Sequence, residues 1–128
     1  MYGCEVKCDY AQVPPILGRP AQLNQVFTHL LLNAVQAIPE RGVIHVTTLH
    51  EGEEVLVRIT DTGHGMRPEV LTKIFSPFFT TKPPGKGAGL GLSISEGIVS
   101  SHKGRIEVQS QFGQGSTFTI RLPVAHDL

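Results

Sequence analysis

Three short stretches of this 128-residue chain carry residue types that could bind a metal ion, a heteroaromatic base and a polyphosphate. The first is Asn33, which lies in a helical pattern. The second is Asp61-Thr62-Gly63-His64-Gly65, which follows a strand pattern, and the third is Gly85-Lys86-Gly87-Ala88-Gly89-Leu90-Gly91, which opens another helical pattern. An amide oxygen, a carboxylate and a row of backbone N–H groups are together suited to a nucleotide and its metal ion.

Asp61 is predicted to be a buried carboxylate. Val55, Val57 and Ile59 alternate along a strand pattern and should face the core, and Asp61 continues the same phase. A buried carboxylate needs hydrogen-bond donors. One donor would be an exocyclic amine such as that of adenine, with the two following glycines letting the backbone approach the ring. The alternative is that Asp61 only caps an Asp-Thr-Gly turn.

Asn33 is predicted to lie at the edge of the apolar stripe of a helix, beside Val26 and one turn after His29. Its side-chain oxygen is a hard neutral ligand suited to Mg²⁺, which would keep its waters and bridge phosphates. The alternative is that Asn33 only marks the boundary between the buried and exposed helix faces.

The glycine run is neither a P-loop nor a dinucleotide-binding fingerprint. Gly85-Lys86 is not followed by Ser or Thr, and no three glycines fit the spacing G-x-G-x-x-G. The run still places flexible backbone at a helix N-terminus, which favours anions. Residues 67–86 hold four positive and one negative side chain, net +3, and this excess suits a triphosphate. The alternative is a surface loop with solvated lysines.

Composition favours one globular domain, residues 1–128, with 40% hydrophobic residues and no formal net charge. Zero net charge argues against a general nucleic-acid or anionic-membrane surface. No apolar run approaches the roughly 18 residues of a membrane span, and no signal peptide is visible. We expect a cytoplasmic domain with reduced thiols at Cys4 and Cys8, which would lie about 13 Å apart in an extended segment.

Periodicity predicts an α+β two-layer sandwich, with helices on one face of a mixed, mostly antiparallel sheet. The predicted elements are a strand over 5–10, a connector over 13–18, an amphipathic helix from Leu23 to Ile38 ended by Pro39 and Gly42, strands over 43–50 and 54–60, a short helix over 67–75, an exposed loop over 80–88, a helix over 89–101, and strands over 105–110 and 116–122.

These motifs, in this order, resemble the catalytic and ATP-binding domain of sensor histidine kinases in the GHKL superfamily. The resemblance covers residues 13–123 and implies the Bergerat fold with three main helices. The matching segments are 22–37, similar to the N box, 61–66, similar to the first glycine box, 74–82, similar to the F box, 87–93, similar to the second glycine box, and 113–118, similar to the closing Gly-x-Gly-[Ser/Thr]-x-Phe hairpin. The Phe-Phe-Thr-Thr-Lys form resembles that of nitrogen-regulatory kinases.

The resemblance also implies the cofactors ATP and Mg²⁺ and the roles of individual residues. Asp61 would read the adenine amino group, Asn33 would ligate Mg²⁺, and Lys82 would act with Asn33 in catalysis by reaching the phosphates. Residues 80–88 would be a lid over ATP. The other residues implied at the nucleotide are Ala37, Gly63, Gly65, Met66, Phe75, Thr80, Thr81, Lys86, Gly87, Ala88, Gly89, Leu90, Gly91, Leu92 and Thr117.

The implied activity is transfer of the γ-phosphoryl group of ATP to a histidine of a dimerisation domain, and from there to a response regulator. None of the six histidines precedes the N box in a helical acceptor motif, so we expect a monomeric fragment of a longer parent protein. His29 replaces the usual asparagine. Family members that hydrolyse ATP carry a glutamate at this place, where it can activate water. A neutral imidazole could also act as a base. We favour a packing or phosphate-facing role for His29 and expect negligible hydrolysis.

Two alternatives remain open. One is an anti-sigma serine kinase of the same superfamily, which the Phe-x-Pro-Phe-Phe-Thr-Thr-Lys stretch disfavours. The other is a non-catalytic nucleotide-binding or protein-interaction module, in which Phe75, Phe78 and Phe79 would dock a helix. The motifs favour the kinase.

Overall fold

The computed structural model describes residues 3–38, 41–76 and 91–125. The elements in chain order are β1 (Gly3–Tyr10), α1 (Pro20–Ala37), β2 (Arg41–Glu51), β3 (Glu54–Asp61), α2 (Pro68–Leu71), α3 (Gly91–Ser101), β4 (Arg105–Gln111) and β5 (Gly115–Pro123). This order confirms the predicted succession of strands and helices.

The five strands form one mixed sheet in the order β1-β2-β3-β5-β4. β1 pairs parallel with β2, and the other three pairings are antiparallel. The core lies between this sheet and the helices, where Ile59 of β3 and Phe118 of β5 pair across the sheet beneath buried residues of α1 and α3. The predicted α+β sandwich is therefore confirmed.

Helix α1 is the main element above the sheet. Leu23, Val26, Leu30 and Ala34 recur at helical spacing and are buried, which joins them into one apolar stripe. The helix begins at Pro20. Proline is favoured at the first position of a helix, because an N–H there has no partner within the helix and its absence costs no hydrogen bond.

The far end of α1 corrects one expectation from the sequence. The helix ends at Ala37, and Ile38 is already extended. Gly42 does not end the helix, because it belongs to β2, where it pairs with β1. Pro39 lies outside the described residues. Pairing with β1 lengthens β2 beyond its apolar run, and a local sequence pattern does not reveal such pairing.

His102 links the start of α1 to the end of α3. The backbone N–H of Arg19, the N-cap residue of α1, donates to His102 Nε2 at 3.0 Å. Because Nε2 accepts, the proton of the neutral ring lies on Nδ1, which donates to the Ile98 carbonyl oxygen at 2.8 Å. This contact fixes the two helices that flank the candidate site.

Helix α2 is shorter than the predicted helix over 67–75. Only Pro68–Leu71 is helical, and turns follow up to residue 76. Ile74 is buried, while Val70, Leu71 and Phe75 are partly buried against the core. The predicted loop over 80–88 and the predicted start of α3 at residue 89 lie outside the described residues. No helix in the described ranges is long and apolar enough to cross a membrane.

The sheet face opposite the helices carries ion pairs. Arg121 pairs with Glu107 and, at 3.2 Å, with Glu54. The Arg121 hydrogen bond and charge lower the pKa of the Glu107 carboxyl. The helix-covered face is the one that carries the predicted site residue Asp61.

Candidate nucleotide-binding site

Asp61 is the last residue of β3, and its side chain is buried with 4% of its surface exposed. It lies in phase with the buried Val55 and Ile59, so the predicted burial is confirmed. The Gly63 N–H donates to Asp61 Oδ1 at 2.8 Å, and the Ser116 backbone N–H also bonds the carboxylate. These bonds orient the carboxylate at the start of the segment 61–66, called here the adenine loop.

The adenine loop is attached to the end of α1. The His64 N–H donates to the Ala37 carbonyl oxygen at 2.9 Å. A Cβ on Gly63 would lie 2.4 Å from the same oxygen, so only glycine fits this approach. Thr62 attaches the loop to β2, because its Oγ1 accepts the Val43 N–H at 2.9 Å.

The turn between β4 and β5 supports the other side of the adenine loop. The Gly113 N–H donates to the His64 carbonyl oxygen at 2.6 Å. Gly65 has φ +68°, and a Cβ there would lie 2.1 Å from the Gln111 carbonyl oxygen. The loop is thus held between α1 and this turn.

One flank of α1 joins the adenine loop to the start of α3. Ala37 contacts Gly63, whereas the His29 ring lies against Gly91, where an added Cβ would be 1.9 Å from His29 Nε2. Asn33 is half-buried on the same flank, one turn from each of these residues. Since each turn rises about 5.4 Å, Asn33 lies between the loop suited to a base and the helix N-terminus suited to phosphates.

Thr117 does not lie with the other candidate residues. It pairs with Thr60, and their hydroxyl oxygens are 3.1 Å apart, whereas Asp61 pairs with Ser116. Side chains alternate along a strand, so Thr117 lies on the face opposite Asp61. We therefore place Ser116 in the candidate site in place of Thr117. Because Phe118 is buried, alternation along the strand also indicates from the sequence that Ser116 lies on the buried face.

The remaining predicted residues divide into two groups. Met66, Phe75 and Leu92 are partly buried and pack against the core cluster. The others lie outside the described residues, and their proposed contacts stay predictions: Thr80, Thr81, Lys82, Lys86, Gly87, Ala88, Gly89 and Leu90. Ser110 and Ser116, which the sequence patterns do not indicate, contact the predicted site residues: Ser110 Oγ accepts the Met66 N–H, and the Ser116 N–H bonds the Asp61 carboxylate.

ATP affinity is expected to fall on acidification. The fall should begin at a higher pH than it would if the aspartate had an ordinary pKa. Burial raises the pKa of the Asp61 carboxyl above its ordinary value of 3.8, against the opposing effect of hydrogen bonds from Gly63 and Ser116 and the nearby His64. As the pH falls through this raised pKa, the carboxylate is protonated. The neutral acid accepts more weakly from adenine, and its O–H must face one of the N–H donors. Calorimetric titration with ATP between pH 7 and the acid limit of folding measures the effect.

The control for this pH dependence is the Asp61→Asn variant, since titration of ATP itself affects both proteins equally. An identical acid profile in the two proteins would contradict the assignment. The contribution of Asp61 to stability without nucleotide should respond in the opposite sense, because its raised pKa means that this carboxyl takes up a proton in the folded state before it does in the unfolded state.

The fit between His29 and Gly91 predicts a compensating pair of substitutions. Gly91→Ala should lower the free energy of unfolding by about 1–3 kcal/mol, the usual cost of overpacking, because the three atoms nearest the new Cβ all belong to the His29 ring. His29→Ala in the same chain should recover most of this loss. Denaturant unfolding of both single variants and the double variant measures the coupling.

Gly97→Ala is the matched control in α3, because an added Cβ at Gly97 meets nothing within 4 Å. If Gly91→Ala lowered the free energy of unfolding equally in the presence of His29 and in the His29→Ala background, the steric explanation would be wrong.

The sequence model of the family described as histidine kinase-, DNA gyrase B- and HSP90-like ATPase matches residues 18–126. The chain belongs to this ATPase family. Among its relatives, the sensor histidine kinase ZraS of Escherichia coli K12 is 48% identical over 112 residues, which are 88% of this chain and 24% of ZraS. Sporulation kinase E of Bacillus subtilis is 42% identical over 113 residues, 88% of this chain and 15% of that kinase.

Solved structures of histidine kinases confirm the fold of this ATPase-family domain. The catalytic domain of histidine kinase ThkA is 31% identical with a TM-score of 0.78, covering 94% of this chain and 78% of that one. Full-length ShkA in complex with AMPPNP is 31% identical with a TM-score of 0.85, covering 98% of this chain and 26% of ShkA. The resemblance to a histidine kinase catalytic domain that binds ATP is thus confirmed, whereas the nitrogen-regulatory subclass stays a prediction.

The chain spans only 24% of the length of ZraS and 15% of that of sporulation kinase E. The activity and partners of a whole kinase are therefore matters for proposal.

Proposed function

We propose that this domain binds Mg-ATP and donates the γ-phosphoryl group to a histidine on the dimerisation domain of its parent protein. A response-regulator aspartate is the later recipient. The observation that carries the proposal is the α1 flank, where Asn33 lies between the adenine loop and the start of α3. The relatives named sensor histidine kinases support the same activity.

The adenine end of the site recognises the base through Asp61. The ionised carboxylate accepts a hydrogen bond from the exocyclic amine. Gly63 and Gly65 hold the loop around it, because without a Cβ they can lie close to α1 and to the β4–β5 turn. In guanine, the 6-oxo oxygen takes the place of the exocyclic amine, and two hydrogen-bond acceptors, that oxygen and the Asp61 carboxylate, would face each other. The site therefore selects ATP over GTP.

The other end of the site holds the phosphates and the metal. The half-buried Asn33 offers an amide oxygen, a hard neutral ligand that fits Mg²⁺, and Mg²⁺ when bound neutralises phosphate charge. α3 begins at Gly91, and its N-terminus favours the phosphates through N–H groups and the helix dipole. Lys82 and the glycines at 87 and 89 lie outside the described residues, and the family resemblance implies that they contact the phosphates. Transfer proceeds by positioning and charge neutralisation.

We further propose that the domain works in the cytoplasm, where ATP is available, and is monomeric without its dimerisation domain. Its partners are that domain and a response regulator, with no nucleic-acid or membrane contact by this segment. The balance of 11 basic and 11 acidic residues supports the last point.

The deciding experiment is transfer of labelled phosphate from γ-labelled ATP to a separately produced dimerisation domain from the parent protein. We expect label on the acceptor domain that is stable to alkali and labile to acid, and no label when the acceptor histidine is replaced by glutamine. Binding of ATP without any transfer would instead assign the chain as a nucleotide-binding module.

Asn33→Ala is expected to remove most of the magnesium dependence of ATP binding. The wild-type affinity should fall when Mg²⁺ is chelated, because the neutralisation of phosphate charge that Mg²⁺ would supply at Asn33 is then lost. Calorimetry with and without chelator measures the difference. Asn24→Ala is the control on the exposed side of α1, and magnesium dependence that persists unchanged in Asn33→Ala would exclude Asn33 as the ligand.

A further inference from the structure

We propose that Ser110 is a positioning residue that fixes the adenine loop for recognition of the base, an inference that rests on the proposed function. Ser110 lies on β4, half-buried, and is not part of the loop itself. Its Oγ accepts the Met66 N–H at 2.8 Å and lies 2.8 Å from Ser116 Oγ. It thereby joins the far end of the loop to the sheet.

Ser110 belongs to a polar row that crosses three strands. Asp61 of β3 pairs with Ser116 of β5, which in turn pairs with Ser110 of β4. The preceding row is apolar, with Ile59, Phe118 and Val108 in register. On these three strands the polar row therefore follows the last apolar row of the core, and the adenine loop lies against it.

The row holds both ends of the adenine loop. At one end, the Ser116 backbone N–H bonds the Asp61 carboxylate. At the other, Met66 lies outside any strand or helix, and its N–H is bonded by the Ser110 hydroxyl. Ser116 and Ser110 thus connect Asp61 to Met66, through the backbone N–H and the hydroxyl of Ser116 and the hydroxyl of Ser110.

Loss of the Ser110 hydroxyl leaves the Met66 N–H without this acceptor, and the unpaired donor is costly in a half-buried place. The loop would then shift relative to Asp61, which recognises the base. The phosphates, at the start of α3, would be unaffected. Ser110 therefore acts on base recognition through Met66 and not on phosphate binding.

The test compares Ser110→Ala, Ser110→Cys and Ser110→Thr with the wild type. Cysteine keeps the size of the side chain but is a weak acceptor, whereas threonine keeps the hydroxyl. Gln109→Ala is the control, because Gln109 is exposed on the opposite face of β4. Calorimetry with ATP, GTP and inorganic tripolyphosphate, together with melting temperature, measures base recognition apart from phosphate binding and folding.

We expect Ser110→Ala and Ser110→Cys to weaken ATP binding roughly 5- to 30-fold, the effect of one unpaired donor. Tripolyphosphate affinity should stay the same, and the preference for ATP over GTP should shrink. Ser110→Thr and Gln109→Ala should behave like the wild type. If Ser110→Ala fails to fold, Ser110→Cys decides the matter.

An unchanged ATP preference in Ser110→Ala or Ser110→Cys would overturn the inference, as would an equal loss for ATP and tripolyphosphate. A wild type that binds ATP and GTP equally would overturn adenine recognition by the proposed function itself. The two failures are therefore distinguishable.

Discussion

Asp61→Asn is expected to weaken ATP binding roughly 5- to 150-fold, which corresponds to about 1–3 kcal/mol for a mispaired buried polar group. The carboxylate accepts N–H groups from Gly63 and Ser116 and would also accept the adenine amine. An asparagine has one acceptor oxygen, so its NH₂ group must face one of these donors. Calorimetry with ATP and GTP measures both the loss and the reduced preference for adenine.

Asp61→Asn should lower ATP affinity without lowering the stability of the fold. Burial raises the pKa of Asp61, so keeping it ionised at neutral pH opposes folding, and the neutral amide removes that term. In Asp61→Asn, the free energy of unfolding without nucleotide should therefore differ from that of the wild type by less than about 1 kcal/mol, which is near the net contribution of one hydrogen bond. Unchanged ATP affinity in Asp61→Asn, or a large loss of stability that accounts for the weaker binding, would contradict the role of Asp61.

Gly65→Ala is expected to weaken both folding and ATP binding, the latter at least about tenfold, or ~1.4 kcal/mol. The left-handed backbone at φ +68° costs a residue with a Cβ about 1–2 kcal/mol. In addition, the Cβ would lie 2.1 Å from the Gln111 carbonyl oxygen, so the adenine loop must move away from the β4–β5 turn. Thermal unfolding and ATP calorimetry measure the two effects.

Gly52→Ala separates backbone strain from the steric clash. Gly52 has a similar φ of +59°, but an added Cβ meets nothing within 4 Å. This variant should lose about 1–2 kcal/mol of stability and keep its ATP affinity. If Gly52→Ala and Gly65→Ala changed ATP binding equally, contact with the β4–β5 turn would not explain the need for glycine in the loop.

The sequence alone determined the features that depend on local periodicity. The apolar stripe of α1 follows from a spacing of 3.6 residues, and the burial of Asp61 follows from the alternation of Val55 and Ile59. The order of elements and the α+β class follow from the same patterns. The motif predicts Thr117 at the nucleotide, whereas strand pairing puts Ser116 on the face of Asp61 and Thr117 on the opposite face. The alternation counted from Phe118 indicates the same arrangement.

Only the tertiary structure decided which segments meet across the fold. Gly63 approaches the end of α1 at Ala37, and Gly91 approaches the ring of His29. Arg41 and Gly42 join β2 through pairing with β1, whereas the apolar pattern begins later. Local preferences do not encode such approaches, because they depend on which strand lies beside which.

The row of Asp61, Ser116 and Ser110 shows the same division between sequence and structure. In the sequence, the two serines are ordinary polar residues flanking a glycine-rich turn. They become supports of the adenine loop because β5 lies between β3 and β4, which brings residues from three strands into one row. Periodicity placed the carboxylate, and strand order, a property of the whole sheet, supplied the hydroxyls that hold the loop around it.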